Sequence, residues 1–274
     1  MRVLITGAAG GVGTLLVPEL AADHELRLTD LRAPDPFGAA TADGVAGGPV
    51  PGGAGAPRAR RVEVVCGDLA DPGFAEQVCA GMDAVVHLAG NPRPGKDWDT
   101  LRGPNIEVLT GVLVAAAKAG VRRMVLASSV HALGGYLPPS ARPEPGPIRD
   151  SWPPHPCCGY GATKVFGEAA ARVYADDGAF SVVCLRLGGC RPAPPTHGWF
   201  DTWLGPADLG QAVRRALRAD VRFGAYTITS ANTEALFDLD AARRDLGYAP
   251  VLDSETYRDS VPDGPSTLCH SGRS

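Results

Sequence analysis

The segment Thr6-Gly7-Ala8-Ala9-Gly10-Gly11-Val12-Gly13 limits what this chain can fold into more than any other stretch. It joins a short apolar, β-branched run, Arg2–Thr6, to Val12–Ala22, where Val12, Leu15, Leu16 and Leu20 recur at helical spacing. A strand, a glycine-rich turn and a helix in that order make a phosphate cradle. Gly7 permits the tight turn, Gly10 lets backbone approach a diphosphate, and Gly13 lets the helix pack closely on the strand. Ala9, Gly11 and Val12 complete the turn, and the helix start offers free N–H groups and the positive end of its dipole. A glycine triplet alone is weak evidence; its position between strand and helix gives it weight.

The rest of the chain keeps the same alternation. Glu25–Asp30, Arg61–Cys66, Ala84–Leu88, Arg123–Ser128 and Ser181–Leu187 read as strands. Phe74–Ala80, a long stretch from about Thr100 to Ala119, and Gly161–Asp177 read as helices. Strands apolar on both faces belong to a parallel sheet covered by helices on each side. Right-handed crossovers then predict a Rossmann-type, doubly wound α/β fold with a small C-terminal substrate-binding portion. At 274 residues, one domain over 1–260 is expected. Two segments break the rhythm. The Gly/Ala/Pro tract at 33–58 has too few large apolar residues to offset its ordering entropy, so it reads as a flexible insertion. The polar tail 261–274 reads as disordered, and there are no internal repeats.

Asp30 ends the second strand, roughly 20 residues beyond the first glycine, where a carboxylate meets the adenine-ribose hydroxyls of a dinucleotide. A 2′-phosphate there would be repelled, which favours NAD over NADP; Arg32, beyond Leu31, keeps NADP as the alternative. Asp68 and Leu69 follow the third strand at the place expected to meet adenine. Leu88, Ala89 and Gly90 follow the fourth and complete the cofactor set.

Composition narrows the partners. A net charge of −4, with no long basic run, argues against nucleic acid and anionic membrane surfaces. No apolar run reaches the ~20 residues of a membrane span. The Gly-rich turn interrupts what would otherwise resemble a signal peptide. The seven cysteines show no CxxC pair and no zinc-ligand spacing, so no metal site is expected and a reducing, cytoplasmic setting is. Cys157-Cys158 is the one pair with a redox alternative.

Tyr160 and Lys164 lie four apart at the start of a helix, one turn apart on one face. An ammonium beside a phenol lowers the phenol's pKa, which predicts Tyr160 as a general base for alcohol oxidation or an acid for carbonyl reduction. Only three lysines occur, so one inside this motif has few chance explanations. Ser128 and Ser129 end the fifth strand at the edge where such sheets bind ligands. Ser129 is the expected catalytic serine, with Ser128 the fallback.

TGAAGGVG, Asp30, DLAD at 68–71, VVHLAG at 85–90, Asn105, the serine pair and YGATK together resemble the extended short-chain dehydrogenase/reductase family, over nearly the whole chain. The absence of a long C-terminal substrate region sets the chain apart from nucleotide-sugar epimerases and dehydratases. Within the family it looks most like NAD-dependent uronate dehydrogenases, on HELRLTDLR (24–32), ASSVH (127–131), YGATKVFGE (160–168), VVCLRLGGC (182–190), TWLGPADL (202–209) and LGYAP (246–250). The resemblance implies hydride transfer by Ser129, Tyr160 and Lys164. It also implies that Asn105 holds a water or backbone carbonyl connecting to Lys164, and that His131 donates to a substrate hydroxyl. A homodimer through the helices near 100–119 and 160–177 is expected by the same analogy.

The substrate positions depart from those relatives. Their SSNH becomes Ser128-Ser129-Val130-His131; a serine aligns with Pro92; an arginine that grips the uronate carboxylate aligns with Gly198. Losing that arginine removes a charge-assisted contact, and Arg191 and His197 are the candidates to replace it. Trp199, in the substrate loop, is the aromatic expected to contact ligand; Trp152, Trp203 and Tyr136 read as packing residues. The expected substrate is therefore a small polyhydroxylated molecule different from a uronate. The alternatives are an epimerase or dehydratase that retains NAD, a biosynthetic ketoreductase, and a non-catalytic NAD-binding regulator.

Overall fold

A computed structural model describes residues 1–35, 61–266, 268 and 269. Most of the expected 33–58 insertion lies outside the described residues. Seven parallel strands form one sheet in the order β3-β2-β1-β4-β5-β6-β9. They are β1 (Arg2–Thr6), β2 (Glu25–Asp30), β3 (Val62–Cys66), β4 (Ala84–His87), β5 (Arg123–Ser129), β6 (Ser181–Leu187) and β9 (Phe223–Ile228). The order reverses between β1 and β4, and that switch point opens a crevice at the carboxyl ends of the strands. A two-stranded ribbon, β7 (Gly189–Cys190) with β8 (Trp203–Leu204), stands beside it.

Successive strand residues face opposite layers, as the two-residue period requires. Val3, Ile5, Val86, Val125 and Val183 pack against α1 (Gly11–Ala21), α6 (Pro206–Arg218) and α7 (Asp240–Leu246). Leu4, Val85, Met124 and Val182 pack against α2 (Pro72–Cys79), α4 (Val108–Lys118) and α5 (Gly159–Asp176). Both layers follow from strands without a polar face.

The structure differs from the sequence expectations in three places. The single helix expected over 100–119 is α3 (Trp98–Arg102), a π-helical turn (Gly103–Glu107) and α4. Pro104 brings no N–H and its ring clashes with the preceding turn, which the wider π turn accommodates. Beyond Leu187, where regular spacing stops guiding the eye, the chain adds α6, β9 and α7. The described residues of the tail expected to be disordered form no helix or strand and are exposed over 262–265, but they are held at several points. His197 meets the Asp263 carboxylate at 2.6 Å, the Thr196 hydroxyl donates to the Pro265 carbonyl, and Leu268 is buried with Val130, Leu133 and Trp152.

Behind β5 and β6 lies a buried charged network. The Arg186 guanidinium donates to both oxygens of Glu168 (2.9 and 2.8 Å) and to Asp150 (3.1 Å). Asp150 in turn accepts from the backbone and hydroxyl of Thr227. Buried ions are tolerated only in such fully bonded arrangements. Arg186→Ala leaves two buried carboxylates without their cation, so chemical denaturation should show a loss of about 3–5 kcal/mol; a loss below about 1 kcal/mol would show the network to be dispensable.

Candidate active site

The glycine turn closes against the end of β4. Gly7 has φ +67°, and a Cβ there would lie 2.6 Å from the Ala89 nitrogen. Thr6 fastens the two turns: its hydroxyl meets His87 Nδ1 at 2.9 Å and accepts from the Ala89 N–H at 3.3 Å. A Cβ on Gly13 would lie 2.5 Å from the Ala8 carbonyl oxygen, so the helix sits against the turn as closely as backbone allows. No side chain caps the α1 N-terminus, leaving its first N–H groups for a ligand.

Two adjoining cavities line this crevice. One, of about 400 Å³, is walled by Gly7, Gly10, Asp30, Leu31 and Arg32 on one side and by Asp68, Leu69, Leu88, Ala89 and Gly90 on the other. Asp30 is held in place because its carboxylate accepts from the Ala9 N–H (3.0 Å) and the Leu31 N–H (2.8 Å). Asp68 is fixed by the Ala70 N–H. This half fits an adenosine diphosphate group: glycines no Cβ could replace, unspent helix N–H groups, and a carboxylate at the end of β2.

The second cavity, of about 540 Å³, contains Gly11, Val12, Pro92, Ser128, Ser129, Val130, His131, Tyr160, Lys164 and Trp199 in its wall. Its members are not equally free. The Ser128 hydroxyl donates to Glu168 at 2.5 Å, which ties it to the buried network. Val130 belongs to the apolar cluster with Leu133, Trp152 and Leu268. The Ser129 hydroxyl accepts from the His131 N–H at 3.3 Å and stands beside the Tyr160 phenol, where it favours the ionised form. The His131 ring stands edge-on to the Tyr160 ring, centroids 5.5 Å apart. Lys164 Nζ donates to the Ala127 carbonyl at 2.9 Å and lies 5.5 Å from the centre of the Tyr160 ring.

Charge states differ from the sequence expectation. Burial pushes the Tyr160 phenol up to about 12, the neighbouring Ser129 hydroxyl opposing it only in part. Burial pulls Lys164 down to about 8, against the Glu168 carboxylate. The lowering expected from Lys164 is absent because desolvation of a phenolate dominates and the ammonium is directed at the Ala127 carbonyl. Asn105 holds a backbone carbonyl, that of Asn91. Its amide accepts from the Asn91 N–H (2.6 Å) and donates to the Asn91 carbonyl and to the Thr163 hydroxyl. It pins the loop after β4 to α5, with no direct bond to Lys164 among the described residues.

Position 198 has no room for a side chain. A Cβ on Gly198 would lie 2.4 Å from the Gly264 carbonyl oxygen, so the tail passes where a side chain would begin. His197 bonds Asp263 and the Arg258 carbonyl, and it does not line the cavity. Arg191 does line it. Its guanidinium spans the Trp199 ring at 5.5 Å, and one of its nitrogens is 3.6 Å from where a Gly11 Cβ would stand. Arg93 is a second arginine in the wall, which holds no Asp or Glu among its described residues. Arg93, Asn91 and Cys190 were not singled out from sequence, since they reach the cavity only through the fold.

Residues 3–190 match the model of the NAD dependent epimerase/dehydratase family, and the chain belongs to that family. Among its relatives, the uronate dehydrogenase of Pseudomonas putida is 33% identical, over 97% of this chain and 89% of that protein. L-Arabinose 1-dehydrogenase (NAD(P)(+)) of Haloferax volcanii is 31% identical, over 93% of this chain and 98% of its own. A mutant uronate dehydrogenase from Agrobacterium tumefaciens, solved with NAD, superposes with a TM-score of 0.77 at 30% identity, over 95% of this chain and 88% of that one.

A 2′-phosphate at the end of β2 would meet the Asp30 carboxylate and be repelled. The expected outcome is a kcat/KM for NAD above that for NADP by about tenfold or more, equivalent to about 1.4 kcal/mol. Asp30→Ser should narrow the ratio, and equal use of both cofactors by the unaltered protein would contradict the role given to the carboxylate.

Proposed function

We propose that this chain is an NAD-dependent dehydrogenase that oxidises a hydroxyl-bearing carbon of a small, free polyhydroxylated sugar or sugar acid. The observation that carries the reading is the meeting of the Ser129 hydroxyl, the Tyr160 phenol and Lys164 in one cavity wall next to the dinucleotide crevice. NAD, when bound, takes the hydride with its electron pair and brings a positive charge to the site. The Tyr160 oxygen receives the substrate hydroxyl proton, and Ser129 orients that hydroxyl by hydrogen bonding. With its phenol held high by burial, Tyr160 is protonated near neutral pH, the form suited to carbonyl reduction. Oxidation should therefore gain from rising pH, because the deprotonated phenol is its base.

Relatives that act on uronate, on arabinose and on glucose 6-phosphate support a free sugar substrate. Arg191 and Arg93, with no facing carboxylate in the described wall, favour a substrate carrying an anionic group. Arg191 takes the part that a side chain at 198 cannot. The helix pair α4 and α5 leaves Val114, Phe166 and Val173 exposed, which supports a homodimer through these helices. Sedimentation should give twice the chain mass, and Phe166→Glu should shift it to the monomer.

A panel of neutral and acidic sugars with NAD tests the assignment by the appearance of reduced cofactor. Tyr160→Phe should lower kcat by about 10²–10⁴ with NAD affinity unchanged; undiminished turnover would remove Tyr160 from the chemistry. Arg191→Ala should raise KM for the acidic substrate alone. A rise confined to the KM for NAD would instead assign Arg191 to the diphosphate.

A further inference from the structure

His131, Cys157, Cys158 and Cys269 share no metal-binding spacing in sequence, yet the fold brings them together. Their ligand atoms all lie within 4.8 Å of one another. They arrive from three places: the turn after β5, the start of α5, and the C-terminal segment. His131 Nδ1 lies 3.3 Å from Cys157 Sγ and 3.6 Å from Cys158 Sγ, and the two sulfurs are 3.9 Å apart. All seven cysteines are free thiols.

The three separations among His131, Cys157 and Cys158 are near the edges of a metal tetrahedron, and Cys269 Sγ stands within 4.8 Å of each. Tetrahedral zinc takes bonds of about 2.3 Å to sulfur and about 2.0–2.1 Å to imidazole nitrogen. The edges of such a tetrahedron are about 3.8 Å between sulfurs and about 3.5 Å between sulfur and nitrogen. Three cysteines and one histidine form a common structural zinc set. We propose that these four side chains form a tetrahedral site for a soft divalent cation of the zinc type, set in the wall of the substrate cavity.

The surroundings suit the role. A Cβ on Gly134 would lie 2.5 Å from Cys157 Sγ, so the loop passes close against the cluster without a side chain in the way. Backbone bonds from Gly135 to His155, from His155 to Ala132 and from Cys157 to His131 hold two of the contributing segments in register. Leu268, buried in the adjoining apolar cluster, seats the tail immediately before Cys269. The Gly161 N–H points at Cys158 Sγ from the first turn of α5, where the helix dipole favours a thiolate.

The cation would have two effects. Bonded through Nδ1, His131 keeps its proton on Nε2, which fixes the imidazole as a donor on its other side. Its ring is edge-on to Tyr160 and in the cavity wall, so the metal would set the orientation of a residue that the proposed substrate meets. It would also tie the tail to α5, closing the substrate loop that the tail crosses at Gly198.

The test uses the full chain, purified under reducing conditions from cells supplied with zinc and then dialysed without chelator. Elemental analysis should find about one equivalent of zinc per chain. Replacement by cobalt(II) should give the intense visible bands of a tetrahedral thiolate site. Cys269→Ser and Cys157→Ser should each drop the retained metal to near none, whereas Cys66→Ser, at the far edge of the sheet, should keep it. Circular dichroism and NAD binding check that the variants remain folded, and Cys269→Ser, confined to the tail, decides the matter if Cys157→Ser does not fold. Substoichiometric zinc in the unaltered chain, equal retention by Cys269→Ser, or a disulfide among these three cysteines would each overturn the proposal.

Discussion

The near-contact between the Gly7 turn and the Ala89 backbone governs the layout of the molecule. Two parallel strands whose crossovers go to opposite faces must part at their carboxyl ends, and here the turns beyond them are fastened by the Thr6 hydroxyl. No side chain fits between. The crevice therefore has a backbone floor of fixed shape, and its chemistry comes from whatever the neighbouring strands carry to the rim. β2 supplies Asp30, β5 supplies the serine pair, and α5 lays Tyr160 and Lys164 across the same edge.

Burial then decides the protonation states at that rim. Tyr160 and Lys164 are each pushed toward their neutral forms by the same loss of water. Polar groups at the rim are engaged within the protein: the Ala127 carbonyl by Lys164, Ser128 by Glu168, Ser129 by the His131 N–H, and Asn105 by the Asn91 backbone and Thr163. A charge arriving in such a place meets few competing dipoles, which is why an incoming cation can shift the phenol strongly.

The dinucleotide half of the site was legible because its residues are nearly contiguous and each has a local reason: a turn, a helix start, a strand end. The YxxxK pair was legible for the same cause, helical spacing. α6 left signals that went unread, with Pro206 in its first turn and Leu209, Val213, Ala216 and Leu217 along one side. The π turn at 103–107 was harder, since the apolar spacing on each side of Pro104 suits one continuous helix. That Arg191 lines the cavity and His197 does not was beyond sequence, because it depends on where Asp263 and Arg258 lie. The His/Cys group is the extreme case, as its members stand up to 138 positions apart in the chain, from His131 to Cys269.

The tail and the substrate loop cross where both are glycine: a Cβ at 198 would lie 2.4 Å from the Gly264 oxygen, and one at 264 would lie 2.4 Å from the Thr196 methyl. Position 198 is therefore closed to any larger residue while the terminal segment keeps its path, since a side chain there collides with the Gly264 and Pro265 backbone. What one residue of the substrate loop can become is thus decided by a stretch of chain far from it in sequence.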